Sequence, residues 1–154
     1  MAFPVIVAML MMPVLSKTDA SATADSFLGV VQQGTASYYH PRFEGRKTAF
    51  GEVFHNADFT AAHRSFPHNT MLEVTNPSTK KTVIVRVNDR GPYSRHRLLD
   101  LSKEAAKELN MIRAGVAKVS VRVVGLHGVV LLPTQDASQP TDGPHTEVPL
   151  TANE

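Results

Sequence analysis

The chain has 154 residues, of which 42% are hydrophobic and 6% aromatic, and its formal net charge is +2. This length suits one domain with flanking segments, and so small a positive charge gives no ground for a nucleic-acid partner. The sequence contains no cysteine, which excludes disulfides, thiolate metal sites, a cysteine nucleophile and lipid attachment through an N-terminal cysteine. The seven histidines show no metal-ligand spacing, so we expect neither a metal nor another cofactor.

Residues 1–24 are predicted to form a secretory signal peptide. Residues 2–15 are almost wholly apolar, and Ala22-Thr23-Ala24 fits an A-x-A cleavage site. The apolar run is short for a membrane span and no basic residue precedes it, so the alternative is an N-terminal core segment. The signal peptide predicts an exported protein, periplasmic or extracellular, without a lipid or stable membrane anchor. Residues 25–33 are expected to be a linker.

Residues 34–125 carry the strand signals and are predicted to form one domain. The β-prone residues 35–39 open it, and residues 71–76 and 81–88 form a hairpin around the turn Asn76-Pro77-Ser78-Thr79. In the second hairpin strand, valines alternate with polar residues at the period of a half-buried strand. The same alternation at Val119, Val121 and Val123 predicts another strand.

One helix and a terminal tail complete the predicted organisation. Ser102 is a suitable N-cap, Ala105 and Leu109 supply a buried side, and Asn110 is a plausible left-handed stop. Residues 126–154 are expected to be a terminal strand remnant followed by a disordered tail, because from Pro133 onward apolar residues are rare. Many short strands with one or two short helices predict a mostly β fold closed into a small barrel.

Asp89 is the first candidate for chemistry. It continues the odd-numbered series of Val83, Val85 and Val87, so period-2 geometry points it to the same face, at the end of the strand where the rim of the barrel is expected. At the strand end, partial burial favours the protonated carboxyl that a general acid needs. The alternative is that Asp89 caps the following turn, Arg90-Gly91-Pro92.

Asp100 is the second candidate. It lies between Leu99 and Leu101, and an aspartate flanked by leucines is rarely free in solvent. It also lies just before the predicted helix, whose N-terminus favours a negative charge. The alternative is that Asp100 serves only as a ligand to the start of that helix.

Glu52 and His63 are weaker candidates, each on a loop. Glu52 follows Gly51, where small residues would let a saccharide approach the backbone. A neutral imidazole at His63 would orient a carboxylate or share its proton. The alternative for each is an ordinary loop side chain.

Aromatic and basic residues are candidates for holding a carbohydrate. Aromatic rings pack on sugar C–H surfaces, or else fill the core, and five are considered: Tyr38, Tyr39, Phe43, Phe50 and Tyr93. A basic cluster would meet carboxylates, or else form a solvated turn, and it comprises Arg90, Arg95, His96 and Arg97.

Five short motifs, in order over about ninety residues, resemble those of the RlpA family, the septal-ring lytic transglycosylases. They are Gly34-Thr35-Ala36-Ser37-Tyr38-Tyr39, Gly45-Arg46-Lys47-Thr48-Ala49-Phe50-Gly51-Glu52, Thr60-Ala61-Ala62-His63, Val87-Asn88-Asp89-Arg90-Gly91-Pro92-Tyr93 and Arg97-Leu98-Leu99-Asp100-Leu101-Ser102. The resemblance implies a six-stranded double-psi β-barrel. It also implies activity roles for Glu52, His63 and Asp89, and it matches Asp100 to an acidic position shared with expansins and the barrel of the transglycosylase MltA.

The function implied by this resemblance is endolytic cleavage of peptidoglycan between N-acetylmuramic acid and N-acetylglucosamine, with a 1,6-anhydro product. Either Asp89 or Asp100 would be the acid, without a cofactor, and the expected substrate-binding residues are Tyr38, Tyr39, Arg90, Tyr93 and Arg97. The implied partners are glycan strands and cell-division proteins, and we expect a monomer. The rivals are a non-catalytic, expansin-like glycan-binding module, a hydrolase that activates water, and an effector acting on another organism's wall.

Overall fold

The structure is a computed structural model that describes residues 26–134. The predicted signal peptide and most of the predicted tail lie outside the described residues. Within the described range, no helix is long and apolar enough to cross a membrane.

Seven strands, one α-helix and one 3₁₀ helix make up this part of the chain. In chain order they are β1 (Val31–Tyr38), a 3₁₀ helix (Pro41–Phe43), β2 (Thr60–Ala62), β3 (Met71–Asn76), β4 (Lys81–Asp89), β5 (Leu99–Leu101), α1 (Lys103–Glu108), β6 (Val116–Leu126) and β7 (Val129–Val130).

Six of these strands close into a barrel. Their order is β1-β5-β2-β4-β3-β6, and an antiparallel pairing of β6 with β1 closes the ring. The β1–β5 and β2–β4 pairs are parallel, and the other pairs are antiparallel. The short β7 lies outside the ring as a hairpin on β6. The predicted mostly β, six-stranded barrel with few helices is therefore confirmed.

The alternating valines fill the barrel interior, as their period-2 pattern predicts. Val85, Val87, Val121 and Val123 are each 0% exposed. Burying one such side chain stabilises the fold by about 1.5–3 kcal/mol relative to leaving it in water. The two long strands, β4 and β6, therefore contribute substantially to the burial that stabilises the barrel.

The element boundaries differ from the sequence prediction at two places. Strand β1 begins at Val31, within the segment expected to be a linker, because Val31 and Gln32 pair with Arg122 and Val121 of β6. Strands β2 and β5 were not predicted, since three residues are too few to show a strand period.

A β-bulge lies at the end of β4, next to Asp89. Ala61 and Ala62 of β2 are consecutive, yet they pair with Val87 and Asp89, which leaves Asn88 as an extra residue. Asn88 is buried, whereas Asp89 is partly exposed. The bulge interrupts the alternation at Asn88, and Asp89 lies partly exposed at the rim, where the end of the strand was expected to place it.

The predicted helix is confirmed as α1. The Ser102 hydroxyl accepts a hydrogen bond from the Ala105 N–H, and Asn110 follows with a left-handed φ of 53°. None of the hydrogen bonds of Asp100 goes to this helix, since its carboxylate bonds Ser37 on the neighbouring β1 and pairs with Arg97.

Candidate active site

An open groove of about 570 Å³ lies at the rim of the barrel, where β1, β4 and β5 end. Both candidate aspartates line it. So do all five residues expected to bind substrate, which are Tyr38, Tyr39, Arg90, Tyr93 and Arg97. Glu52 and His63 are not among its lining residues.

Both oxygens of the Asp89 carboxylate accept hydrogen bonds. Its Oδ2 accepts from the Tyr39 hydroxyl at 2.6 Å. Its Oδ1 accepts from the backbone N–H of Ala49 at 2.7 Å and of Arg90 at 2.8 Å. The bond to Arg90 is the turn contact that the sequence offered as an alternative, and it coexists with a position in the groove.

Tyr39 is a permanent donor to Asp89. Burial, together with the hydrogen bond and the negative charge of Asp89, raises the pKa of the Tyr39 phenol far above its ordinary value of 10.0. The ring is fixed by aromatic packing, with its centroid 4.5 Å from that of Phe54 and 5.5 Å from that of Phe43. The Tyr39 hydroxyl therefore stays protonated and pointed at one oxygen.

Asp100 has a different environment. Its Oδ1 accepts from the Ser37 hydroxyl at 2.6 Å, across the β1–β5 pair, and lies 3.3 Å from the Arg97 guanidinium. Arg97 also donates to the Ser37 hydroxyl oxygen at 2.6 Å, which closes a three-membered network. Among residues 26–134, no hydrogen bond is made to Oδ2, so this oxygen is available to a substrate.

Glu52 lies outside the groove, in a network of its own. Its two oxygens accept from the Arg86 guanidinium at 2.7 and 2.8 Å, and Oε1 lies 2.6 Å from the His68 ring. The hydrogen bond from Arg86 is the main reason that the pKa of Glu52 falls from 4.5 to about 2. The Glu52 carbonyl also accepts from the Thr48 N–H, next to the Ala49 N–H that bonds Asp89.

His63 is a buried residue beneath the groove, 3% exposed. Its Nδ1 accepts from the backbone N–H of Phe66 at 3.0 Å, and its Nε2 faces the Gln32 side-chain oxygen at 3.3 Å. These partners fit the neutral tautomer with the proton on Nε2. Burial is the main cause that lowers the pKa of His63 from 6.5 to about 4. Its backbone N–H donates to the Asp89 carbonyl at 3.2 Å.

Two members of the predicted basic cluster, Arg90 and Arg97, are engaged by internal contacts, whereas Arg95 and His96 are exposed. Arg90 donates to the carbonyls of His63 and Phe66, and its guanidinium lies 4.5 Å from the centre of the Phe50 ring. Arg97 is held by Ser37 and Asp100, as described above. Both residues line the groove, but their guanidinium groups are already engaged, Arg97 by an ion pair with Asp100 and Arg90 by backbone carbonyls and the Phe50 ring.

Three further cations that were not predicted as groove residues also line it, Arg42, Arg46 and Lys47. Their loop, Arg42-Phe43-Glu44-Gly45-Arg46-Lys47, reads as a solvated turn, and only Phe43 was considered as a groove residue. The one sequence feature that could have indicated a groove position is the grouping of these three cations around an aromatic residue, Phe43. Within residues 26–134, no group of three or more histidines and carboxylates is arranged to hold a metal ion.

Comparison with known proteins finds related sequences over the part of the chain that forms the barrel and the groove. The family model described as lytic transglycolase matches residues 31–121. A Haemophilus influenzae protein named endolytic peptidoglycan transglycosylase RlpA is 45% identical over 114 residues, which cover 74% of this chain and 39% of that protein. A Treponema pallidum protein with the same name, marked probable, is 53% identical over 92 residues, which cover 60% of this chain and 29% of the relative.

These relatives are longer proteins, and the chain spans about two fifths of their length or less. Among solved structures, a Streptomyces papain inhibitor matches with a TM-score of 0.51 and 21% identity, over 62% of this chain and 94% of the inhibitor. That likeness supports the barrel fold alone.

Proposed function

This chain belongs to the lytic transglycolase family of double-psi β-barrel proteins, and we propose that it is an endolytic peptidoglycan transglycosylase. The observation that supports the proposal is the pair of aspartates, Asp89 and Asp100, that face one groove with unlike hydrogen-bond environments. Two carboxyl groups in different environments are suited to different roles in one reaction.

Asp100 is the proposed general acid. Its Oδ2 has no partner in the described part of the chain, so a proton there can be delivered to a bound glycan without breaking an existing bond. Each oxygen of Asp89 already accepts at least one hydrogen bond, from Tyr39, Ala49 or Arg90. A proton on either oxygen would therefore compete with an existing donor for that oxygen. The groove therefore favours Asp100 as the donor and Asp89 as a fixed carboxylate.

The proposed reaction uses one proton, which returns to its donor. Asp100 protonates the oxygen that bridges muramic acid C1 to the next sugar, and the C1–O bond breaks to give an oxocarbenium-like state. The negative charge of Asp89 stabilises this state. The C6 hydroxyl of the same muramic acid then closes on C1, and its proton passes to the ionised Asp100. The products are a 1,6-anhydromuramic end and a free 4-hydroxyl, and no water is consumed.

Glu52 and His63 are proposed to act as positioning residues. Glu52, held by Arg86, fixes the loop whose Ala49 N–H bonds Asp89. His63 packs under the rim and holds the Asp89 backbone. Tyr93, 93% exposed beside the groove, is proposed to carry a sugar ring on its face.

The proposed setting is outside the cytoplasm, where peptidoglycan lies. The substrate is the glycan strand, and the reaction requires no metal or organic cofactor. Export through residues 1–24, a monomeric state and contacts with division proteins remain parts of this proposal.

The test compares wild type, Asp89→Asn and Asp100→Asn on purified peptidoglycan, with products separated by mass. Wild type is expected to release anhydro-muropeptides. Asp100→Asn should lower the rate by about 10²–10⁴-fold, as expected for the loss of a general acid, whereas Asp89→Asn should leave a reduced but measurable rate. Glycan binding without any anhydro product from wild type would instead favour the non-catalytic module.

A further inference from the structure

Three cations on one wall of the groove have no anionic partner. Arg42, Arg46 and Lys47, here called the cationic wall, are all exposed and all line the groove. Among residues 26–134, none of the three forms an ion pair. Of the other cations that line the groove, Arg97 pairs with Asp100, and Arg90 forms no ion pair but donates to internal backbone carbonyls.

The two arginines of the cationic wall are held by one aromatic ring. The guanidinium carbon of Arg42 lies 5.1 Å from the centre of Phe43, and that of Arg46 lies 5.7 Å from it. Contact with a ring face leaves the N–H donors at the guanidinium edge free for a planar anion. Phe43 in turn packs edge-on against Tyr39, which donates to Asp89, so the wall and the aspartate share one aromatic support.

The one acidic residue in this segment does not neutralise the wall. Glu44 is held by the His55 ring at 2.9 Å and by the Asn56 N–H at 2.7 Å. Neither His55 nor Asn56 lines the groove. Two guanidinium groups gathered at one ring repel each other, and an anion entering from the groove would relieve that repulsion.

We propose that the cationic wall is a subsite for carboxylates carried by the glycan, a refinement that rests on the proposed function. A carboxylate matches the fork of an arginine and would accept paired hydrogen bonds from it. Two parts of peptidoglycan supply this chemistry: the lactyl carboxyl of a muramic acid without a stem peptide, and the carboxylates of the stem peptide itself. The subsite holds the strand while Asp89 and Asp100 face the bond to be cut.

The test measures binding by proteins that also carry Asp100→Asn, so that turnover does not consume the ligand. Arg42→Gln, Arg46→Gln and Lys47→Gln are combined in one variant. The control combines Lys80→Gln, Lys81→Gln and Arg113→Gln, which removes the same charge from exposed positions that do not line the groove. Thermal unfolding of both verifies that they fold.

Three ligands separate the sources of charge. The first is glycan free of stem peptides, the second is the same glycan with its lactyl carboxyls converted to neutral amides, and the third is glycan that bears stem peptides. The wall variant should bind a carboxylate-bearing glycan about ten-fold more weakly, equivalent to about 1.4 kcal/mol, and bind the amidated glycan normally.

A loss on the first ligand assigns the lactyl carboxyl, and a loss confined to the third assigns the stem peptide; both support the subsite. An equal loss on the amidated glycan, no loss on either charged glycan, or an equal loss in the control variant overturns it. Because the readout is binding, the absence of anhydro products from wild type would refute the proposed function without deciding this test.

Discussion

Replacing Glu52 by glutamine separates a positioning role from a chemical one. The substitution keeps the size of the side chain and removes its charge. It leaves Arg86, whose side chain is 30% exposed, with a neutral partner in place of a two-oxygen ion pair. If Glu52 holds the loop that carries Ala49, the change should appear first in stability.

The expected loss follows from the pKa of Glu52. A pKa lowered from 4.5 to about 2 corresponds to about 3 kcal/mol in favour of the ionised form. Because the Glu52 side chain is 30% exposed, solvent screens part of this, and we expect Glu52→Gln to lower the free energy of unfolding by about 1–2 kcal/mol at neutral pH.

The assay is urea unfolding of wild type and Glu52→Gln across the acid range. The folded pKa lies below the ordinary value, so the stabilisation is complete above pH 4.5 and disappears as the pH falls towards 2. The two stability curves should therefore converge in acid. Turnover should fall by no more than about ten-fold, through a less fixed Asp89, which is well below the 10²–10⁴-fold of a lost general acid or base.

A different combination of stability and activity would contradict a positioning role for Glu52. A loss of activity above about 10²-fold with unchanged stability at neutral pH would make Glu52 a chemical participant. Glu104→Gln is a matched control, since Glu104 pairs with Lys107 on exposed α1, and it should leave both stability and turnover nearly unchanged.

Three further predictions address the barrel and its rim. The pKa of His63 is lowered from 6.5 to about 4 in the folded protein. As the pH falls from 6.5 to 4, the His63 side chain is therefore protonated in the unfolded chain before it is protonated in the folded protein. The free energy of unfolding should fall by up to about 3 kcal/mol over this pH range. His63→Gln should remove that pH dependence in denaturant unfolding, and its persistence would show that another group titrates. Phe66→Ala, at a 0% exposed position, should cost about 3–5 kcal/mol in the same assay, and a loss below about 1 kcal/mol would mean the site collapses around the gap. Tyr93→Ala, at a 93% exposed position, should change stability by less than about 0.5 kcal/mol while weakening glycan binding about two- to ten-fold by calorimetry, and unchanged binding would remove Tyr93 from the groove's function.

The elements that sequence alone predicted are those whose signal is local. The alternating valines of β4 and β6 and the Ser102 cap of α1 each depend on neighbouring residues, and all three predictions are confirmed. The three-residue strands β2 and β5 gave no such signal, because their pairing partners lie far away in the chain.

The sequence predicted which residues belong to the site better than it predicted how they are arranged. The motifs named both aspartates that line the groove, but the bulge at Asn88 arises from pairing with β2 and gave no local signal. The partner of Glu52 is Arg86, 34 residues further along the chain, and only the folded barrel brings them together. Likewise, Arg90 is engaged by the carbonyl of Phe66, a tertiary contact, whereas Arg42 is exposed. No local sequence pattern distinguishes the two arginines.

A transglycosylase cuts glycan without consuming water. The most direct measurement is digestion of purified sacculi by wild-type protein in water labelled with a heavy oxygen isotope, followed by mass analysis of the new ends. We expect 1,6-anhydromuramic ends that carry no heavy oxygen. Reducing muramic ends that carry the label would contradict it and identify a hydrolase.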